Sequence, residues 1–482
     1  MRYDNDAKQL KYEVLRKVAE LSYAGTLEEN IDQIPYDLIP GPQPKFRCCI
    51  YREREIIRER VSAARGISLP GQTEKSIVGV LPAACEGCPI SRFTVTSNCQ
   101  HCLAKKCQAA CPFGAISITG RGAYIDPNKC KECGRCAAAC PYNAISDTLR
   151  PCLRSCPVDA ITMDENKRAA INYDNCISCG TCTKNCPFGA LTDRSYITQV
   201  IDLIRDENVE VYAMFAPAIE GHFGMATVGA LKESLREIGF NGAYEVSLGA
   251  DATAAHEAEE LVEAVQEGKK MTTSCCPAFV DMIEKHFPKL VDHISHTGSP
   301  MVLTARYIRK EHPGAKVVFI GPCMAKKMEI QKVQDTADLV LTFEELAAMF
   351  DARNVDPASK VCEEQDGSLA GKNFATSGGV TASVKQVLKE RGIDLEVSCL
   401  QCNGARECKK ALTLLNLGRL PEDFVEGMAC EGGCVAGPGG VEDPLRLKKN
   451  RMKLLSAADK RGVVENIEKI HDYSDVNMNA RE

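Results

Sequence analysis

Cysteine spacing is the strongest chemical signal in the chain. Cys130, Cys133, Cys136 and Cys140 are followed by Pro141, and Cys176, Cys179, Cys182 and Cys186 by Pro187. Both runs read C-x2-C-x2-C-x3-C-P, a spacing that holds [4Fe–4S] clusters. A short loop lets three thiolates converge on one cubane, and the cysteine before proline is carried off to ligate the neighbouring cluster. Cys99, Cys102, Cys107, Cys111 and Pro112 form a variant with a longer gap between the second and third cysteines. Cys152, Cys156 and Pro157 are a half-motif, and Cys85 and Cys88 a separate pair. Each CP element opens a similar tail, CPFGAISI, CPYNAISD, CPVDAITM and CPFGALTD. This internal repeat predicts two tandem units built for electron transfer.

Sixteen cysteines lie between residues 81 and 195. At four ligands each they make four [4Fe–4S] clusters. Crossed pairing predicts Cys99, Cys102 and Cys107 with Cys140; Cys130, Cys133 and Cys136 with Cys111; Cys176, Cys179 and Cys182 with Cys156; and Cys85, Cys88 and Cys152 with Cys186. Structural zinc also uses C-x2-C pairs, but as two separated pairs or with histidine. Zinc fits the repeated triple poorly and stays open chiefly for Cys85 and Cys88.

These motifs sit in a chain of 482 residues, long enough for two to four domains. Hydrophobic residues make up 44 % and charged residues 26 %, with a net charge of −6, which argues against a nucleic-acid binder and its basic face. No apolar stretch is long enough to cross a membrane. The first twenty residues lack the apolar core of a secretory signal. A cytoplasmic enzyme is expected, and in a reducing compartment 27 cysteines point to metal rather than disulfides.

Four regions follow. Residues 1–80 are charged and helical, of unknown role, with Cys48 and Cys49 unassigned. Residues 81–195 form the tandem ferredoxin-like segment, an α+β arrangement. Residues 196–445 alternate strands (209–216, 244–248, 316–320) with helices (226–238, 251–266, 343–350, 381–389). That alternation predicts parallel sheet covered by helices, with functional loops at strand ends. Residues 446–482 read as a helix and a polar tail.

Three motifs in the third region resemble one family: TSCCPAF at 273–279, GPCMAKKME at 321–329 and EGMACEGGCVAGPGG at 426–440. In order, content and separation they are similar to the three signatures of [FeFe]-hydrogenases. The resemblance implies an α/β catalytic domain with two sheet-containing lobes around a buried iron cofactor. It implies an H-cluster: a [4Fe–4S] cubane on Cys276, Cys323, Cys430 and Cys434, the last bridging to a two-iron subsite with CO, cyanide and an amine dithiolate. Cys275 matches a free thiol beside that amine, and Glu257, Ser295 and Glu260 match the onward proton relay. Glu257 and Glu260, three apart on a predicted helix, share a face. Lys326 matches a lysine that hydrogen-bonds cyanide, Met428 and Phe374 match hydrophobic walls, and Ala216 and Pro217 match a backbone-lined edge. Taken singly, such a glutamate reads as solvated, the lysine as surface, and the Met and Phe as core; the aligned set is what gives them roles.

The resemblance further implies reversible reduction of protons to dihydrogen, a ferredoxin or flavodoxin as electron partner, and dedicated maturases. Phe279, Gly321, Ala218 and Pro438 depart from the best-studied branch, where Trp, Met, Ser and Gly stand and a Gln lies near the position of Met301, a pattern similar to the so-called group B clostridial enzymes. A low-turnover hydrogen sensor, a cluster-assembly protein and a pure electron-transfer protein are the alternatives. Cys399, Cys402 and Cys408, with Cys362, are irregularly spaced and read as free thiols.

Overall fold

Near-continuous apolar runs such as VYAMF and KVVFI form strands of a parallel sheet covered on both faces. The computed structural model describes Tyr3, residues 5–85, Cys88 and residues 91–480. In it, strands Gly242–Glu245, Val211–Phe215, Lys316–Ile320 and Leu339–Leu341 lie side by side in that order, all parallel. A second parallel sheet places Phe424–Met428 between Met271–Thr272 and Cys399–Asn403. The 21-residue helix Val246–Gln266 packs on Pro300–Glu311 and Gly379–Glu390. These are the two expected sheet-containing lobes.

One expected strand is corrected. Residues 244–248 are extended only to Glu245, and the helix begins at Val246. A short apolar run carries no periodicity to separate a buried strand from the first turn of a buried helix.

The ferredoxin-like segment is built from antiparallel strand pairs. Phe93–Val95 pairs with Ile145–Asp147 and Ile116–Thr119 with Gly122–Ile125. The second unit repeats this with Val78–Val80 on Leu191–Asp193 and Ile161–Met163 on Ala169–Ile171.

The first eighty residues do not stand apart. Helix Asp6–Ala24 is capped by the Asn5 side chain, and its Tyr12, Leu15 and Val18 share one core with Met214, Phe215 and Phe350 of the first lobe. Nor are the last residues a free polar tail. After helix Pro444–Ser456, Val463, Ile467, Tyr473 and Val476 are buried in the second core, and the Asn466 amide donates to Asp251 Oδ2 at 2.7 Å. Among the described residues no helix is long and apolar enough to cross a membrane.

Candidate metal centre and proton path

The CP tails have a common geometry that explains their common sequence. In all four, the alanine four residues after the cysteine donates its N–H to that sulfur: Ala115 to Cys111 and Ala144 to Cys140 at 3.4 Å, Ala160 to Cys156 at 3.2 Å, Ala190 to Cys186 at 3.3 Å. The preceding residue is Gly114, Asn143, Asp159 or Gly189, each left-handed, a conformation that Gly, Asn and Asp tolerate best. The three-cysteine loops repeat as well, with Glu132 and Gly134 in one, and Ser178 and Gly180 in the other, at positive φ.

Thirteen of the sixteen cysteines fall in four groups. Cys102 and Cys140 lie within electrostatic reach of Cys107, and Cys130 and Cys111 within reach of Cys136. Cys179 and Cys156 surround Cys176, and Cys186, Cys88 and Cys85 surround Cys152. Among the described residues no three His, Cys, Asp or Glu side chains close on a single metal ion. A cubane, with iron at alternate corners, spreads its thiolates further apart than one zinc ion does.

A fifth group forms where the lobes meet. Cys276 precedes helix Pro277–His286, Cys323 follows strand Lys316–Ile320, and Cys430 and Cys434 follow strand Phe424–Met428. Cys323, Cys434 and Cys276 all act on Cys430. Burial pushes the Cys323 thiol up to about 12 and holds Cys430 and Cys434 well above the usual thiol range. Such thiols bind iron as thiolates only if the metal displaces the proton. Gly433 makes the turn between Cys430 and Cys434: its φ is +84°, and a Cβ would fall 2.6 Å from Ala375 O.

This group adjoins the ferredoxin-like segment. Cys179 lies within reach of both Cys430 and Cys276. Cys156, Cys176 and Cys179 pack with Cys276 and Cys323 against one apolar cluster that includes Phe279. Gly180 lets the backbones approach, since its Cβ would lie 2.5 Å from Met324 Sδ and 2.7 Å from Pro438 Cγ.

The residues expected to carry protons lie near one another, from this group outward. Glu257 acts electrostatically on the Cys275 thiol, which burial raises well above its ordinary value. Glu257 Oε1 accepts from Ser274 N at 3.2 Å and Ser274 Oγ at 3.4 Å, and the Ser295 side chain lies near the same carboxyl. Burial, with Glu260 nearby, pushes Glu257 up to about 8 despite these donors. Its Oε2 is buried without a partner. Glu260, at the partly exposed end, accepts from His296 N at 3.2 Å.

Lys326 is buried rather than at the surface. Its ammonium donates to Ser299 Oγ at 2.8 Å and to Glu329 at 2.5 Å, and approaches Cys275 O at 3.4 Å. Burial opposes its charge, but Glu329 outweighs that and raises its pKa. Phe374 and Met428 are buried in the second core, against which Cys275 and Cys434 pack. Ala216 N bonds Ile320 O at 2.8 Å, and Pro217 O accepts from Arg451 at 2.7 Å.

Two of the departures have a packing basis. A Cβ at Gly321 would meet the Phe319 ring at 2.6 Å, so Phe319 fills the space a larger side chain would take. Phe279 lies flush on the backbone of Gly427.

Ser299, Glu329 and His256 escape sequence reasoning. His256 Nδ1 is 2.7 Å from Thr297 Oγ1 and 3.8 Å from Glu260. Its position four residues before Glu260 on the relay helix was the available signal; Ser299 carries none.

Comparison with known proteins agrees with this architecture. Residues 209–438 match the family "Iron only hydrogenase large subunit, C-terminal domain", and residues 98–144 and 150–190 match "4Fe-4S dicluster domain". Residues 209–438 thus resemble an iron-only hydrogenase catalytic domain, preceded by residues that resemble paired 4Fe-4S units.

Among individual proteins, the chain is 26 % identical over 322 residues to iron hydrogenase 1 of Clostridium pasteurianum, covering 55 % of this chain and 56 % of that one. It is 28 % identical over 304 residues to the periplasmic [Fe] hydrogenase large subunit of Nitratidesulfovibrio vulgaris, covering 51 % and 72 %. The chain therefore spans little more than half of the first relative. It is also 24 % identical over 255 residues to the cytosolic Fe-S cluster assembly factor NAR1 of Kluyveromyces lactis, covering 38 % and 54 %. The solved apo [FeFe]-hydrogenase HydA1 of Chlamydomonas reinhardtii superposes with a TM-score of 0.50 at 22 % identity, covering 58 % of this chain and 94 % of that one. The chain is therefore similar both to iron hydrogenases and to an Fe-S cluster assembly factor.

Proposed function

We propose that the chain is an [FeFe]-hydrogenase that reversibly reduces protons to dihydrogen, fed by four accessory [4Fe–4S] clusters. The observation that carries this is the nearness of the buried Cys275 thiol to the buried Glu257 on one side and to Cys276 and Cys434 on the other. An electron-transfer or assembly protein has no use for a buried thiol–carboxyl pair leading to the surface.

The residues fit the H-cluster. Cys276, Cys323, Cys430 and Cys434 would hold the cubane, with Cys434 as the bridge. Lys326 offers an ammonium, Phe374 and Met428 exclude water, and the unpartnered Glu257 Oε2 leaves an acceptor free for a proton. When bound, the H-cluster supplies an open iron position and an amine base for dihydrogen.

The chain moves the proton. Cys275 takes it at sulfur and passes it to Glu257, whose carboxyl is near half-protonated at pH 8, as an acid–base group should be. Ser295 links Glu257 onward to Glu260, which opens to solvent. Electrons take the other side, through the group of Cys156, Cys176, Cys179 and Cys182 next to Cys430. Cys152 lies within reach of Cys182, which puts the group of Cys85, Cys88, Cys152 and Cys186 next. Cys130 faces Leu149, Arg150 and Leu153 across a cleft of about 570 Å³, so its group comes third and that of Cys99 is outermost.

The assembly-factor relatives favour a second reading. Anaerobic maturation followed by hydrogen evolution from reduced methyl viologen separates the two: the hydrogenase reading predicts sustained evolution that CO inhibits. A fully clustered, matured chain with no evolution supports the second. The departures at Phe279, Gly321 and Ala218 are consistent with a divergent, group B-like site, and a low-turnover sensor would share the same cofactor.

A further inference from the structure

We infer that the outer face of the first ferredoxin-like unit, around Leu103 and Arg121, is the docking surface for a small acidic one-electron carrier protein. This rests on the proposed electron relay through residues 98–190.

Three observations coincide on that face. From Asn98 to Ile125 the chain contains Lys105, Lys106 and Arg121 and no Asp or Glu. All three are exposed, and none is in an ion pair among the described residues. The corresponding stretch of the second unit, 150–171, mixes four cations with three carboxylates. The local positive charge therefore stands out in a chain whose net charge is −6.

Leu103, between the cations and the cysteines, is 95 % exposed, and Tyr124 is 54 % exposed. Apolar side chains ringed by unpaired like charges are the anatomy of a transient interface: the charges steer encounter and the apolar centre makes contact. The face also covers the outermost cysteine group. A Cβ on Gly122, next to Arg121, would lie 3.4 Å from Cys99 Sγ and from His101 Nε2. A carrier seated on Leu103 and Arg121 rests on residues that directly adjoin Cys102 and the Gly122 that touches Cys99. One electron leaves the reduced carrier and one enters the outer cluster, with no proton or bond exchanged.

The test mixes a reduced acidic 2[4Fe–4S] ferredoxin with the oxidised, fully clustered chain and follows the visible absorbance of the clusters by stopped flow at several ionic strengths. Reduced methyl viologen gives the docking-free rate for each protein. The triple variant Lys105→Glu, Lys106→Glu, Arg121→Glu should lower the ratio of carrier-driven to dye-driven rate by about tenfold at low salt and abolish its salt dependence. Reversing Lys448 and Lys449, exposed cations on the C-terminal helix, should leave the ratio unchanged. An unchanged ratio in the triple variant, or an equal fall in both variants, overturns the proposal. So does a dimer, seen by sedimentation without carrier, that the triple variant dissolves. Hydrogen chemistry is not needed for the readout, so the docking face and the hydrogenase reading can fail separately.

Discussion

Lys327 Nζ lies 2.7 Å from Asp193 Oδ2, deep in the molecule. Lys327 belongs to the motif that carries Cys323 and Lys326, and Asp193 ends a strand of the second ferredoxin-like unit. Glu345 joins at 3.0 Å, and Lys11 of the N-terminal helix reaches Asp193 at 2.8 Å. Three regions distant in sequence thus meet at one buried ionic cluster. The cations hold the Asp193 carboxyl well below the usual range, against the cost of burial.

Removing one member should therefore be costly. Lys327→Met leaves the buried Glu345 without its cation and Asp193 with Lys11 alone, and a loss of about 3–5 kcal/mol is expected. Anaerobic denaturant unfolding checks this; a loss below about 1 kcal/mol would show that the cluster does not anchor the motif loop.

Legibility in the sequence followed locality. The CP tails, the three motifs and the Glu257–Glu260 spacing are short-range patterns, and each corresponds to a compact local geometry. Lys11–Asp193 and Asn466–Asp251 are pairings across the whole chain that no local period encodes, so the docking of both termini on the catalytic lobes was invisible. Ser299 was missed for the same reason: its partner Lys326 lies on another element, and serine before proline reads as an ordinary helix start.

Gly180 sets how closely the inner accessory group approaches Cys430. Gly180→Ala must displace Met324 or Pro438 and also strains a φ of +73°, at a cost of about 1–3 kcal/mol. The expected result is slower electron delivery from the accessory clusters to the inner cubane, followed by freeze-quench EPR, with cluster content unchanged. Parental kinetics would show that the contact does not set the path.

Glu257 gives a pH signature. Its carboxyl is raised from the ordinary 4.5 to about 8 by burial, so the folded state favours the protonated form. The stabilisation this provides is complete below pH 4.5 and is lost as pH rises through 8. Glu257→Gln should flatten the fall in unfolding midpoint between about pH 5 and 8 while suppressing turnover. An equal fall in both proteins would contradict a raised carboxyl.

Purified anaerobically without maturases, the chain should carry about twenty iron atoms, five cubanes of four. Cys99→Ser with Cys102→Ser should bring the count to about sixteen. A parental count near twelve by iron assay would reduce the accessory relay to two clusters.

Cys275→Ala should lower hydrogen turnover by about 10²-fold or more while the infrared bands of the cofactor persist; near-parental turnover would remove Cys275 from the route.

The most direct measurement is the infrared spectrum of the chain matured anaerobically, recorded under dihydrogen and under argon. Sharp CO and cyanide bands that shift between the two gases are the predicted result. Their absence, in a protein with full accessory clusters and with maturases proven on a control enzyme, would contradict the assignment of a two-iron site at Cys434.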